Sequence, residues 1–208
     1  MSRAFYHTTR DLHLYSGLFI SPFVLVFAIS VFFLVHTWVP GGHRRAAERS
    51  ATGLRLPPDL DKLQNAERVR AVRKVMNQLQ VTGEVGFITH VAARHLLEIP
   101  VFVPGRETTI DLDYVSNSAV ISTRETGMAD ALIYLHKSPG PHLAAIRGNW
   151  WMTRVWRWLA DVTVYLLLFI SVSGIYLWMV LRAERKVGLV LIATGALSFL
   201  GIVYAISY

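Results

Sequence analysis

The sequence predicts an α-helical membrane protein in which three transmembrane helices carry one α+β domain, inserted between helices 1 and 2 and lying outside the cytoplasm. Three observations predict it. Asp, Glu, Lys and Arg are absent from Leu12 to His43, from Val162 to Leu181 and from Val187 to Tyr208, and each run can cross about 30 Å of hydrocarbon at about 1.5 Å per residue. Hydrophobic residues make up 53% of the 208 even though the middle of the chain is charged, so the flanks are more apolar than a soluble core requires. Arg3 and Arg10 precede the first run, and Arg182, Arg185 and Lys186 fill the short loop between the last two. The positive-inside rule puts both segments in the cytoplasm and the long insert on the other side.

In chain order, the expected parts are a cytoplasmic N-terminus at 1-11, helix 1 at 12-39, the inserted domain at 40-149, helix 2 at 150-181, a cytoplasmic loop at 182-186 and helix 3 at 187-208. The first run is too long for the apolar region of a signal peptide and ends in "HTWVPGGHRR" without a small-residue cleavage site, so it is expected to stay as an anchor. Pro22 removes a backbone donor and is expected to kink or loosen helix 1 unless Ser21 or a neighbouring helix compensates. "PGGHRRAAERSATGLRLPPDL" reads as an irregular exit ending at an N-cap, Asp59. Leu63, Ala66, Val69, Val72, Val75, Met76 and Leu79 recur every three or four residues and predict a helix over 59-80, with Arg68, Arg73 and Lys74 on its solvated face. Beyond Gly83 the pattern becomes strand-like in "GEVGFITHVA", "HLLEIPVFVP", "TTIDLDYV" and "SAVISTRE", with turns at Pro104-Gly105 and Ser116-Asn117-Ser118. A helix followed by an antiparallel meander predicts a small α+β domain. "MADALIYLHKSPGPHLAAIRGNWWM" is helical at first, breaks at Pro139-Gly140-Pro141 and leads back to the membrane, where Trp150, Trp151, Trp156 and Trp158 form an interfacial belt.

Composition excludes several classes of function. Residues 40-150 hold 14 Lys/Arg against 11 Asp/Glu, and much of the remaining +7 net charge is the positive-inside signal, so nucleic acid is not an expected partner. With no cysteine there is no disulfide, c-type haem attachment, cysteine-ligated iron-sulfur cluster or thiol nucleophile, which leaves histidine as the main transition-metal ligand. No P-loop, GxGxxG, GxSxG or HExxH occurs. Asp111 and Asp113 share a strand face without an acid-base partner and read as surface charges. His90 and His95, five apart, fall on opposite faces of a strand, against a metal pair.

"LHLYSGLFISPFVLVFAISVFFLVHTW", "LIYLHKSPG" and "RVWRWLADVTVYLLLFISVSGIYLW" resemble the PepSY-associated transmembrane helix family of bacterial inner-membrane proteins, and the helix-then-strands insert is similar to a periplasmic PepSY domain. Some larger members of that family look like haem-containing ferric-siderophore reductases. Their membrane histidines correspond here to His13, His36 and His136. The resemblance therefore implies a b-type haem, transmembrane electron transfer and, by extension, reduction of a metal complex. This chain has only three spans and no histidine in the second or third.

Two axial imidazoles must converge at one depth. His13 and His36 are 23 residues apart, about 34 Å along a helix, and cannot pair. His36 and His136 both lie where the insert meets the membrane and form the expected pair, with His142 a substitute for His136. His13 has only His7 nearby and would need a ligand from another subunit. Arg154 and Arg157 share a helix face and suit haem propionates, although Arg157 reads rather as the i,i+4 ion-pair partner of Asp161 and Arg154 can also snorkel. His36 and His136 also read as interfacial residues bonded to backbone carbonyls or phosphate headgroups, and His13 as a structural or cofactor-adjacent residue. Two readings without catalysis accompany the haem reading. One is an accessory subunit of a larger respiratory or photosynthetic membrane complex, packing through Gly188, Ala193, Gly195, Ala196 and Gly201. The other is a regulatory domain that binds an envelope protein along a strand edge. Contact with the lipid bilayer is common to all three.

Overall fold

A computed structural model describes residues 3-36, 44-137, 146, 148-181 and 184-207, with the side chains of 44-46 left aside. Its elements are α1 (Arg3–Val35), β1 (Arg44–Ala51), α2 (Asn65–Gln78), β2 (Glu84–Val85), β3 (Thr89–Val91), β4 (Leu96–Val103), β5 (Arg106–Asp113), β6 (Ser118–Glu125), α3 (Met128–Lys137), α4 (Trp151–Leu181) and α5 (Arg185–Ser207). α1, α4 and α5 are each long and apolar enough to cross a membrane. The chain divides into two compact units, Met1–Ser21 with Thr163–Tyr208, and Pro22–Val162.

The second unit holds the inserted domain. Its antiparallel sheet has the order β1-β6-β5-β4-β2, and β3 also pairs with β4. Alternate residues face one side of a strand, and here Leu97, Ile99 and Val101 of β4, Ile110 and Leu112 of β5, and Ala119 and Ile121 of β6 are all buried. α2 covers them with Val69, Val72, Val75 and Met76, and Leu79 follows at its C-terminal end. Each fully buried aliphatic side chain contributes roughly 1.5–3 kcal/mol. Pro100 lies within β4 opposite Thr109 of β5. Its other edge faces the break between β2 and β3, where no strand pair claims its missing N–H, and its carbonyl accepts from Gly86 N at 2.8 Å.

Two expectations need correction. The helix expected over 59-80 begins at Asn65, after Gln64. Asp59 is not its N-cap: with φ of 54° it enters a separate turn, closed by Lys62 N donating to Asp59 O at 2.9 Å and by a Lys62–Asp59 ion pair. The supposed irregular exit contains β1, a strand with no β-branched or aromatic residue, so side-chain propensity gave no signal; its conformation comes from backbone pairing with β6. α1 runs unbroken through Pro22. The Leu18 carbonyl, which loses its i+4 donor to proline, accepts the Ser21 hydroxyl at 3.0 Å. At the membrane ends, α1 starts nine residues before the expected position 12 and ends at Val35, whereas α4 and α5 lie within two residues of expectation.

In the first unit, the early part of α1 meets the later part of α4. Phe5 packs edge-on against Tyr176, with ring centroids 5.5 Å apart, and Gly17 approaches Ile170. Gly188 of α5 lies against the Trp178 indole so closely that a Cβ there would overlap the ring.

Candidate membrane histidine site

His136 sits in the last turn of α3, where Nδ1 lies 2.9 Å from Ser30 Oγ of α1 and the ring meets Phe27 edge-on at 5.6 Å. The Ser30 hydroxyl donates to Phe27 O at 2.6 Å. With its proton spent on that carbonyl, Ser30 Oγ accepts from Nδ1–H of His136. Phe27 also packs on Trp156 of α4, whose Nε1 donates to Leu135 O at 2.9 Å. α3 is thereby held to both helices by one serine, one phenylalanine and one tryptophan.

His13 repeats the arrangement in the first unit. Its Nδ1 lies 2.8 Å from Ser173 Oγ of α4, and Ser173 donates to Phe169 O at 2.6 Å. Gly174 leaves room for the ring, since a Cβ there would be 3.4 Å from His13 Cε1. In both pairs the serine fixes Nδ1 as the protonated nitrogen and leaves Nε2 with its lone pair, the nitrogen able to accept a hydrogen bond or ligate a metal. Ser30 and Ser173 carry no signal in the sequence, because serine back-bonding to a carbonyl is common in membrane helices. They are recognisable only beside their histidines.

His36 is elsewhere. It is exposed just beyond α1, with its ring 4.4 Å from Phe32. At 3.6 residues per turn, Phe27 and Ser30 lie about 60° apart around α1, whereas Phe32 is roughly opposite Ser30. His36 and His136 therefore occupy different faces of α1. The expected ligand pair His36 and His136 does not converge, and among the described residues no three His, Asp or Glu side chains gather as a metal site. His142 lies outside the described residues. Arg154 is exposed and, with Arg157, flanks Gly148, where a Cβ would be 3.3 Å from Arg154 Cγ and 3.2 Å from Arg157 Nη1. The ion pairs among the described residues are Arg10–Asp11, Lys62–Asp59 and Arg124–Glu107, so the expected Arg157–Asp161 pair does not form there. An apolar cavity of about 300 Å³ lies between α3 and the start of α4, walled by Tyr134, Leu135, Trp150, Trp156 and Leu159, with no histidine among its described lining residues.

The sequence also missed the clamp that seats the domain on α4. Glu84, 8% exposed, accepts from Gly148 N at 2.7 Å and Asn149 N at 3.3 Å through Oε1, and from Trp150 N at 2.9 Å through Oε2. These N–H groups run into the α4 N-terminus, where an anion is favoured. The Asn149 side chain accepts from Val85 N at 3.0 Å and donates to Val85 O at 2.9 Å, continuing β2 as another strand would. His90 and His95, expected on opposite strand faces, both approach the Tyr114 hydroxyl, at 3.1 and 3.5 Å. A 3₁₀ turn at Ala92–Arg94 and the left-handed φ of 52° at His95 carry the second ring round.

The family model described as "Putative PepSY_TM-like" matches residues 7–206. The chain belongs to the PepSY_TM-like family. No curated protein and no solved structure matches it. Membership in this family, together with three apolar helices of membrane-spanning length, makes this PepSY_TM-like chain a membrane protein in contact with the lipid bilayer, with its sheet domain between the first and second helices.

Proposed function

We propose that this PepSY_TM-like protein is a non-catalytic subunit of a larger bacterial inner-membrane assembly, respiratory or photosynthetic. In this reading its N-terminus is cytoplasmic, and residues 40-149 and the C-terminus are periplasmic. The observation that carries it is α5: none of its residues is buried, and a Cβ at Gly195 or Gly201 would meet nothing within 4 Å. Lipid covers aliphatic side chains as well as protein does, but bare backbone at glycine is surface that a second helix uses better than lipid. Arg3, Arg10, Arg185 and Lys186 support the orientation. Extracted from its native membrane in mild detergent, the chain is expected to co-migrate with a stable partner; a monodisperse monomer would overturn the proposal.

A second reading has its own observation. His13 and His136 are each held through Nδ1 by a serine, leaving Nε2 available. In this reading the protein borders a b-type haem completed by an imidazole from another subunit, and takes part in transmembrane electron transfer that extends to reduction of a metal complex. Arg154 is then a propionate partner. A dithionite-reduced minus air-oxidised spectrum of the intact assembly is expected to show a b-type signal that falls in His136→Ala or His13→Ala and persists in His36→Ala. Identical spectra in the first two variants would remove this reading without touching the first.

A further inference from the structure

Arg73 was expected on the solvated face of α2, yet its Nη1 is buried and has no hydrogen-bond partner among the described residues. Removing a guanidinium N–H from water without an acceptor is costly, so the site calls for one. Arg73 is itself part of the lining of a pocket of about 180 Å³, together with Asn77, Thr82, Trp150 and Trp151. Arg73 and Asn77 are four apart on α2 and share a face. Among the described residues the lining contains no Asp or Glu, and the acid next to it in sequence, Glu84, is already taken by three N–H groups of residues 148-150. The pocket thus keeps a positive charge, the Asn77 amide and the Thr82 hydroxyl as donors. Trp150 and Trp151 form its wall at the start of α4, the depth at which indoles sit among lipid headgroups.

We propose that this pocket binds a phosphate group, supplied by the phosphodiester of an anionic phospholipid. A guanidinium matches two phosphate oxygens at once. The volume holds several waters at roughly 30 Å³ each, suited to a headgroup phosphate, while the tryptophans border the chains below it. The site depends on membrane insertion alone and on neither a partner subunit nor a haem.

The test uses the full chain in neutral detergent, mixed with equal amounts of phosphatidylglycerol and phosphatidylcholine, with retained lipid read by native mass spectrometry. Phosphatidylglycerol is expected to be retained preferentially. Arg73→Met should weaken that retention by roughly tenfold, the scale of one charge-assisted hydrogen bond. Asn77→Leu and Thr82→Val, both at exposed positions, should weaken it less and keep the proposal testable if Arg73→Met does not fold. Thermal melting with added inorganic phosphate separates the sources. Protection by phosphate without preference for phosphatidylglycerol would overturn the lipid assignment, and equal retention by wild type and all three variants would overturn the site.

Discussion

The sheet domain and α5 are built largely from the same aliphatic residue types, but they are covered in opposite ways. Leu97, Ile99, Ile110 and Leu112 are 0% exposed, whereas Leu197 of α5 is 70% exposed and Ile206 81%. In the domain, strand alternation turns every second residue toward α2, and the chain covers its own apolar surface. α5 has apolar residues on all sides, so a single neighbouring helix could cover only a fraction of it. The domain is thus stabilised by its own packing, and α5 by whatever surrounds it, lipid or a second protein.

The largest expected effect tests that contrast directly. Leu97→Ala should destabilise the domain by about 2–5 kcal/mol, seen as a lower denaturation midpoint of the detergent-solubilised chain. Leu197→Ala should change the same midpoint by no more than about 0.5 kcal/mol. Comparable losses would mean that α5 is packed within its own chain after all. Next in size is the clamp. Glu84→Ala leaves three N–H groups without their carboxylate and should cost about 2–3 kcal/mol, while Glu84→Gln, which keeps an acceptor, should cost less. Limited proteolysis between β2 and α4 is the readout, and equal cleavage of both variants and wild type would show that the clamp does not hold the domain.

The smallest effect lies at the far end of the sheet. Asp113 accepts from Ser116 N at 3.0 Å and Val115 N at 2.8 Å, bonds that hold its carboxyl below the usual carboxylate range. A depressed carboxyl stabilises the fold fully above its unfolded pKa of about 3.9 and loses that contribution as pH falls through the folded value. The melting temperature of wild type should exceed that of Asp113→Ala by a small constant margin near neutral pH, and the margin should shrink below about pH 4. A margin that does not change with pH would assign the turn to backbone geometry alone.

Sequence patterning by itself determined the three membrane-spanning runs and the helix-then-meander order of the domain, because hydrophobic length and period are local properties of the chain; the family followed from the resemblance of separate short motifs. His13 stood out in its apolar run, whereas His136 was singled out only by the family resemblance. β1 was invisible because its pairing partner, β6, is more than sixty residues away. Glu84, Asn149, Ser30 and Ser173 were equally hidden: each is an ordinary polar residue whose role appears only when a distant segment presents a backbone amide or an imidazole to it. Tertiary structure alone placed His36 and His136 on different faces of α1 and put Arg73 in a pocket rather than in solvent. The physical reason is that hydrophobic burial follows a short repeat readable along the chain, whereas hydrogen bonds and charges depend on distances of a few ångströms between residues that only folding brings together.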